Sequence, residues 1–272
     1  MSTKISLKLV LLTISLKYVT LIIIKLSKEK AMFKIKVADF IVEIDNKYQF
    51  ITQICKDYLY VGDGCDFRVS STDEEIEQQQ IKLSREFPNA SEEFAEATCI
   101  YREVCLRLPE RDAFVMHCAT IGVGDKAYAF TARSGTGKST HIRLWKQLLG
   151  EKVYVINGDK PIVRLIDGEL YAYGTPWCGK EMWQTNTRAK LDGLCFLQRA
   201  EKNFITDISK QEAATLIMKQ ILIPNDPLAV SKTFELVDRM INKTKLYRLG
   251  CNISIEAAEI AYNAMCGGKN ED

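Results

Sequence analysis

The sequence predicts an α/β fold built on a mixed sheet, with a small α+β part before it and a helical part after it. Three observations support this prediction. An apolar strand, a glycine-rich loop and an amphipathic helix follow one another between residues 126 and 150. Turn signals at 124–126 and at Asp167-Gly168 predict antiparallel hairpins on both sides of that unit. Helical spacing dominates the end of the chain, at 209–223, 228–243 and 254–266, where Ser254 is the predicted N-cap.

Residues 1–31 precede the first predicted strand and carry an unusual apolar segment at 7–25. Lysines divide this segment, and its longest uncharged run, 9–16, is far shorter than the ~20 residues that a membrane-spanning helix needs. We therefore predict no stable membrane span. We interpret 1–31 as a non-native or disordered extension, with the native start at Met32. A peripheral anchor or an additional strand remains the alternative.

Residues 32–110 form the predicted small α+β part. Loose alternation predicts strands at 33–44, 48–54 and 65–70, and helical spacing predicts helices at 74–87 and 91–108. Ser91 is the expected N-cap of the second helix. The buried stripe of that helix is predicted to contain Phe94, Cys99 or Ile100, Cys105 and Leu106.

Residues 111–272 form the predicted catalytic part, and its elements alternate between strand and helix. The helix after the glycine-rich loop ends at Gly150, a residue type that favours a helix C-terminus. Predicted strands lie at 113–123, 127–132, 152–158, 191–199 and 246–251, and a hairpin is centred on Asp167-Gly168.

Composition limits the functional classes. The 272 residues include 37 basic and 35 acidic side chains, so the formal net charge is +2 and indicates no obligatory nucleic-acid partner. The nine cysteines are scattered and form no C-x-x-C pair. This pattern favours a reducing, cytoplasmic location over a disulfide framework or a zinc ribbon.

The glycine-rich loop carries the strongest chemical signal. It resembles the pattern G-x-x-x-x-G-K-[ST], with Ala132 in place of the first glycine. In such loops the backbone N–H groups surround phosphate, the lysine reaches the outer phosphates and the hydroxyl holds Mg²⁺. We assign Lys138 and Ser139 these two roles. The predicted nucleotide-binding residues are Arg133, Ser134, Gly135, Thr136, Gly137, Lys138, Ser139 and Thr140.

Three residues outside the loop are further candidates. Asp159 follows a buried strand, where its carboxylate can reach the metal held by Ser139, although it could simply cap a turn. If residues 124–126 close a hairpin, His117 lies opposite Arg133 at the loop mouth. Arg199 ends another strand, where it is either a cation for the transferring phosphoryl group or a surface residue.

Other residues near these candidates have less specific predicted roles. We predict that His141 is a surface or packing residue. The segment 174–184 contains Trp177 and Trp183, which either cover a substrate or fill the core.

His117, the motif 134–140 and the strand ending at Asp159 together resemble the catalytic core of HPr serine kinase/phosphorylase, whose wider relatives are the ATP-dependent phosphoenolpyruvate carboxykinases. The motifs at 158–161 and 174–181 resemble small bacterial HPr-kinase-like proteins, some of which modify ribosomal peptides. The resemblance covers about residues 110–200. It implies a kinase that uses ATP and Mg²⁺, a serine acceptor in a protein or peptide, and a homo-oligomer. It also implies that His117 assists the base.

The chain departs from this family at position 158. The family has two consecutive aspartates at this strand end, the first acting as base, whereas this chain has Gly158 followed by Asp159. Either His117 or Glu181 replaces the base, or turnover is weak. Two other functions stay open: a P-loop kinase for a small molecule, and a nucleotide-sensing module without catalysis.

Overall fold

The computed structural model describes residues 31–267, so the interpretation of residues 1–31 lies outside the described chain except at Ala31, which begins a strand. Two sheets organise the described residues, one of three strands and one of nine, with seven α-helices packed around them. This is a mixed α/β architecture, as the sequence predicts. The division into parts at 110/111 stays a prediction.

The three-stranded sheet and three helices make up the first part. The strands lie in the order β1-β2-β3, with β1 antiparallel and β3 parallel to β2. The elements are β1 (Ala31–Val37), β2 (Phe40–Asn46), α1 (Gln49–Ile54), β3 (Phe67–Ser70), α2 (Asp73–Ser84) and α3 (Glu92–Arg107). Ser91 is the N-cap of α3, as predicted, and accepts a hydrogen bond from Phe94 N.

Helix α1 corrects the prediction of a strand at 48–54. Ile51 and Cys55 lie one helical turn apart, and both are fully buried, so a helix buries a face that the alternating pattern does not show. The Glu96 carboxylate accepts hydrogen bonds from the Lys47 and Tyr48 main chains at 2.6 and 3.0 Å, which fixes the turn before the helix. Tertiary contacts therefore override the local strand preference.

The predicted stripe of α3 is partly correct. Ile100 and Cys105 are buried, but Phe94 is 41% exposed, and Cys99 and Leu106 are only half-buried. Val104 completes the buried face instead.

The nine-stranded sheet has the order β4-β8-β9-β10-β6-β5-β7, with β12 also paired to β10 and β11 to β12. Its strands are β4 (Ala113–Val115), β5 (Ala119–Val123), β6 (Lys126–Thr131), β7 (Val153–Asn157), β8 (Ile162–Ile166), β9 (Glu169–Tyr173), β10 (Arg188–Arg199), β11 (Phe204–Asp207) and β12 (Lys245–Cys251). Both predicted hairpins are present: β5 pairs with β6, and β8 pairs with β9. Asp167 and Gly168 have φ of 50° and 78°, as a tight hairpin turn requires.

The remaining helices are α4 (Lys138–Leu149), α5 (Lys210–Ile217), α6 (Pro227–Lys243) and α7 (Glu256–Cys266). Helix α5 ends earlier than the predicted 223. The predicted cap of α7 is wrong by one position, because Ile255 is the N-cap and Ser254 lies before it. No helix in residues 31–267 is long and apolar enough to cross a membrane.

Strand direction brings four strand ends to one edge of the large sheet. Strand β10 runs parallel to β6 and to β12. Strand β7 has the same direction as β6, because each is antiparallel to β5. The carboxyl ends of β6, β7, β10 and β12 therefore lie along the same edge, which is where the predicted functional residues follow their strands.

Candidate phosphate-binding site

The glycine-rich loop connects β6 to α4 at this edge. Gly135 and Gly137 have φ of 75° and 125°, conformations that glycine adopts at little cost. Ala132 is buried and is absent from the positive-φ residues of the described chain, so its side chain is compatible with the loop. Gly137 is the N-cap of α4.

The N-terminus of α4 has the properties of an anion site. No side chain caps the helix, and its first turn contains no acidic residue. The first amides of a helix have no acceptor within the helix, and the helix dipole favours negative charge at the same point. Within the described chain the Ser139 hydroxyl has no hydrogen-bond partner either. This end of α4 therefore presents donors suited to phosphate oxygens.

Lys138, His117 and Asp159 form a continuous polar chain beside the loop. Lys138 Nζ lies 3.0 Å from His117 Nε2 and 3.5 Å from Ala132 O. His117 Nε2 lies 3.1 Å from Asp159 Oδ1. The structure thus brings together three of the four residues predicted to act in catalysis.

His117 does not lie on a strand, in contrast to the prediction of one strand over 113–123. That run divides into β4 and β5, and residues 116–118 connect them, with Cys118 N donating to Asp159 O at 3.0 Å. The hairpin register differs by one residue from the prediction, since Val123 pairs with Lys126. His117 O accepts from Thr131 Oγ1 at 3.0 Å, which still places the imidazole at the loop mouth.

Gln220, which the sequence does not single out, holds the His117 ring from the opposite side. Gln220 Oε1 lies 3.1 Å from Nδ1, and Gln220 O accepts from His117 N at 2.7 Å. An acceptor at Nδ1 favours a proton on that nitrogen. The neutral ring then turns its Nε2 lone pair toward Lys138, whereas the doubly protonated ring can donate from Nε2 to Asp159. No sequence pattern identifies this contact, because 103 positions separate the two residues.

Charge sets the protonation states in this cluster. Burial alone would raise the pKa of Asp159, but the hydrogen bond from His117 and the charge of Lys160 outweigh it and hold the pKa well below its usual range. Burial lowers the pKa of Lys138, and the Asp159 carboxylate opposes that effect. Asp159 is therefore a carboxylate at neutral pH.

The other predicted residues surround the loop. Arg199 Nη2 donates to Gly135 O at 2.6 Å, so the guanidinium contacts the loop main chain. The Arg133 and Ser134 residues are exposed, whereas Thr136 and Thr140 are half-buried. His141 is a buried packing residue on α4, which accepts from Trp145 Nε1 at 2.9 Å.

The segment 178–183 covers Gly158 and Asp159. Gly158 N donates to Trp183 O at 2.8 Å, and a Cβ at position 158 would lie 3.1 Å from Cys178 O and 3.3 Å from Trp183 O. A Cβ at Gly179 would lie 3.1 Å from Asp159 Cβ. A side chain at position 158 would therefore be in tight contact with this main chain. The two tryptophans differ, because Trp177 is buried against Tyr101 and Trp183 packs with Arg143 on α4.

The oxygen atoms of Ser139 and Asp159 could hold magnesium only together with a phosphate ligand. Within residues 31–267 no three His, Cys, Asp or Glu side chains are arranged as a metal site. Mg²⁺ typically uses one or two protein oxygen ligands and takes the remainder from phosphate and water. The Asp159 carboxylate and the Ser139 hydroxyl fit that requirement.

No protein-family model matches the chain, and no curated protein matches its sequence. The solved structure of the HPr(Ser) kinase/phosphatase from Coxiella burnetii matches at 12% identity with a TM-score of 0.25, over 45% of this chain and 96% of that one.

Proposed function

We propose that the chain binds ATP with Mg²⁺ at the loop 133–140 and transfers the terminal phosphate to a hydroxyl, with a serine of a protein or peptide as acceptor. The observation that carries this proposal is the contact of Lys138, His117 and Asp159 next to the uncapped start of α4. An ammonium, a carboxylate and a set of free amides at one point suit a polyphosphate and its metal ion.

Each residue has a distinct task in this proposal. The amides of 137–140 and the Lys138 ammonium bind phosphate oxygens, and Ser139 and Asp159 hold magnesium. Arg199, which contacts Gly135 O, shapes the loop and adds positive charge beside it. When bound, the nucleotide supplies the phosphoryl group, and Mg²⁺ partly neutralises the negative charge of the phosphates.

His117 is the proposed base in place of the carboxylate absent at Gly158. With its proton on Nδ1, bonded to Gln220, the ring can accept the hydroxyl proton at Nε2. Asp159 Oδ1, 3.1 Å away, then stabilises the imidazolium. Phosphoryl transfer depends mainly on positioning and charge, so a weak base is compatible with turnover.

The test compares Lys138→Met with the matched control Lys152→Met, since Lys152 is exposed at the opposite end of β7. Labelled ATP, Mg²⁺ and a library of serine peptides, each paired with its alanine version, report transfer. We expect transfer by the wild type and by Lys152→Met, and a loss of about 10²-fold or more in Lys138→Met. A panel of small molecules that carry hydroxyl groups is assayed in parallel. Transfer to one of these molecules rather than to a peptide would indicate a small-molecule kinase.

A nucleotide-sensing module is the second candidate, and the tight main-chain contacts around Gly158 are the observation that favours it. Such a module binds ATP with Mg²⁺ but leaves the terminal phosphate in place with every acceptor. That result contradicts the kinase proposal. Failure of the wild type to bind nucleotide contradicts both candidates.

A further inference from the structure

Lys160 makes a close contact in the site that the roles above do not use. Its Nζ lies 2.5 Å from Asp159 Oδ2, and the ammonium also lies 5.6 Å from the centre of the Tyr101 ring. The Lys160 side chain is 32% exposed, so it borders solvent at the same edge as the loop. Both oxygens of Asp159 are thus in contact with nitrogen, Oδ1 with His117 and Oδ2 with Lys160.

The backbone of Lys160 is held firmly while its side chain has room to change direction. Lys160 N donates to Asn157 Oδ1 at 2.7 Å, and Lys160 O accepts from Thr175 Oγ1 at 2.7 Å. Pro161 restricts the next main-chain torsion. A rearrangement at this position is therefore confined to the four-carbon side chain, whose ammonium can reach different partners.

The cluster of Lys138, Asp159 and Lys160 has a net positive charge. Lys138 and Lys160 contribute two ammonium groups, and Asp159 is the carboxylate in contact with this cluster. Glu181 is near enough to affect Lys138 electrostatically, but no ion pair joins them within the described chain. A divalent cation on Asp159 would add further positive charge beside Lys160, and like charges at such separations repel. An ammonium displaced from Asp159 needs another anion close by.

We propose that Lys160 is a second phosphate-binding cation, which Asp159 holds in the nucleotide-free protein and which moves to a phosphate oxygen when a divalent cation takes Asp159. This inference rests on the proposed nucleotide site and adds a residue to it. Lys160 then has two effects of opposite sign. It competes with metal alone for Asp159, and it strengthens binding of the nucleotide.

Two binding measurements on Lys160→Met separate these effects without relying on turnover. Methionine keeps the length and apolar contacts of the lysine stem but removes its charge. Titration with a non-hydrolysable ATP analogue at saturating Mg²⁺, where the metal occupies Asp159, is expected to show binding weakened about tenfold, as for loss of one charge-assisted hydrogen bond. Titration with Mn²⁺ alone, followed by electron paramagnetic resonance, is expected to show binding tightened on the order of fivefold.

Two further variants complete the experiment. Lys160→Arg retains the charge and is expected to keep most of the affinity for the analogue at saturating Mg²⁺. Lys152→Met is expected to match the wild type in both titrations, and urea unfolding checks that every variant is folded. If folded Lys160→Met binds both probes as the wild type does while Lys138→Met loses the analogue, the inference about Lys160 is wrong and the nucleotide site stands. If the wild type binds no analogue, the proposed function fails as well.

Discussion

Gly158 is the residue at which this chain and the family it resembles differ most directly. Its missing side chain leaves room for Cys178 O and Trp183 O, which would lie 3.1 and 3.3 Å from an added Cβ. Both neighbours are main-chain atoms, which move less readily than the end of a side chain. The absence of a side chain at position 158 is therefore coupled to the path of the segment 178–183.

We expect Gly158→Asp to destabilise the protein by about 1–3 kcal/mol, because it overpacks this space, and to yield no gain in phosphoryl transfer. Urea unfolding and ATP turnover measure the two effects. Gly158→Ala adds the same Cβ without charge and should lose a similar amount of stability. A Gly158→Asp protein as stable as the wild type and more active would contradict this account.

Sequence reasoning at the residue scale locates side chains where the signal is local. Lys138 and Ser139 follow from a fixed spacing within one loop. Counting across one hairpin brings His117 to the loop mouth, although the register differs by one residue and His117 lies between β4 and β5. Lys160 and Gln220 were missed for different reasons. Lys160 adjoins Asp159 in the sequence, but only its side-chain direction reveals the contact, whereas Gln220 comes from a distant loop.

Helix α4 connects the loop to the core at the element scale. Its buried face consists of His141, Ile142, Leu144 and Trp145. The imidazole of His141 packs against the Phe130 ring with centroids 4.8 Å apart, and its Nδ1 has no partner in the described chain. Burial lowers the pKa of His141 to about 3, so the folded protein keeps this ring neutral.

This histidine makes stability depend on pH. In the unfolded chain His141 takes up a proton below its ordinary pKa of about 6.5, whereas the folded protein does so only near pH 3. The free energy of unfolding therefore falls as pH drops below about 6.5, by up to roughly 1.4 kcal/mol per pH unit.

The variant His141→Gln can still accept the Trp145 hydrogen bond but does not titrate. Between pH 7.5 and pH 5 we expect the wild type to lose about 2 kcal/mol more of its free energy of unfolding than the variant loses. Urea unfolding at the two pH values measures it. Parallel pH profiles for the two proteins would show that His141 is not buried as a neutral ring.

Elements were predictable where their own pattern matched their burial. The strands around the loop and the Asp167-Gly168 hairpin meet this condition. Helix α1 does not, because Glu96 and the packing of Ile51 decide its structure. The break between β4 and β5 could not be predicted from the local sequence either, because main-chain contacts of residues 116–118 with distant segments create it.

The two sheets are joined through one hydrophobic cluster at the scale of the whole molecule. Ile35 and Ile44 from the small sheet belong to the same buried cluster as Val115, Ile162 and Trp177. Polar contacts reinforce the junction. Asp39 Oδ2 accepts from Tyr173 Oη at 2.5 Å and from Arg188 Nη1 at 2.8 Å, and Tyr58 Oη donates to Gln184 Oε1 at 2.7 Å. Gln184 pairs with Asn157, so this junction reaches the end of β7, two residues before Asp159.

A shared core of this kind predicts that residues 32–110 and 111–267 unfold together rather than as separate units. Ile35→Ala removes a fully buried side chain from the small sheet and should cost about 2–5 kcal/mol. Because the cluster is common to both sheets, the same shift should appear in far-UV circular dichroism and in the fluorescence of the tryptophans, all of which follow residue 111. Val61→Ala is the matched control, since Val61 is 99% exposed and its truncation should change stability by less than about 0.5 kcal/mol. Two separated transitions in Ile35→Ala, with the tryptophan signal unshifted, would instead indicate that the small sheet folds independently and that its contacts with Gln184 do not support the site.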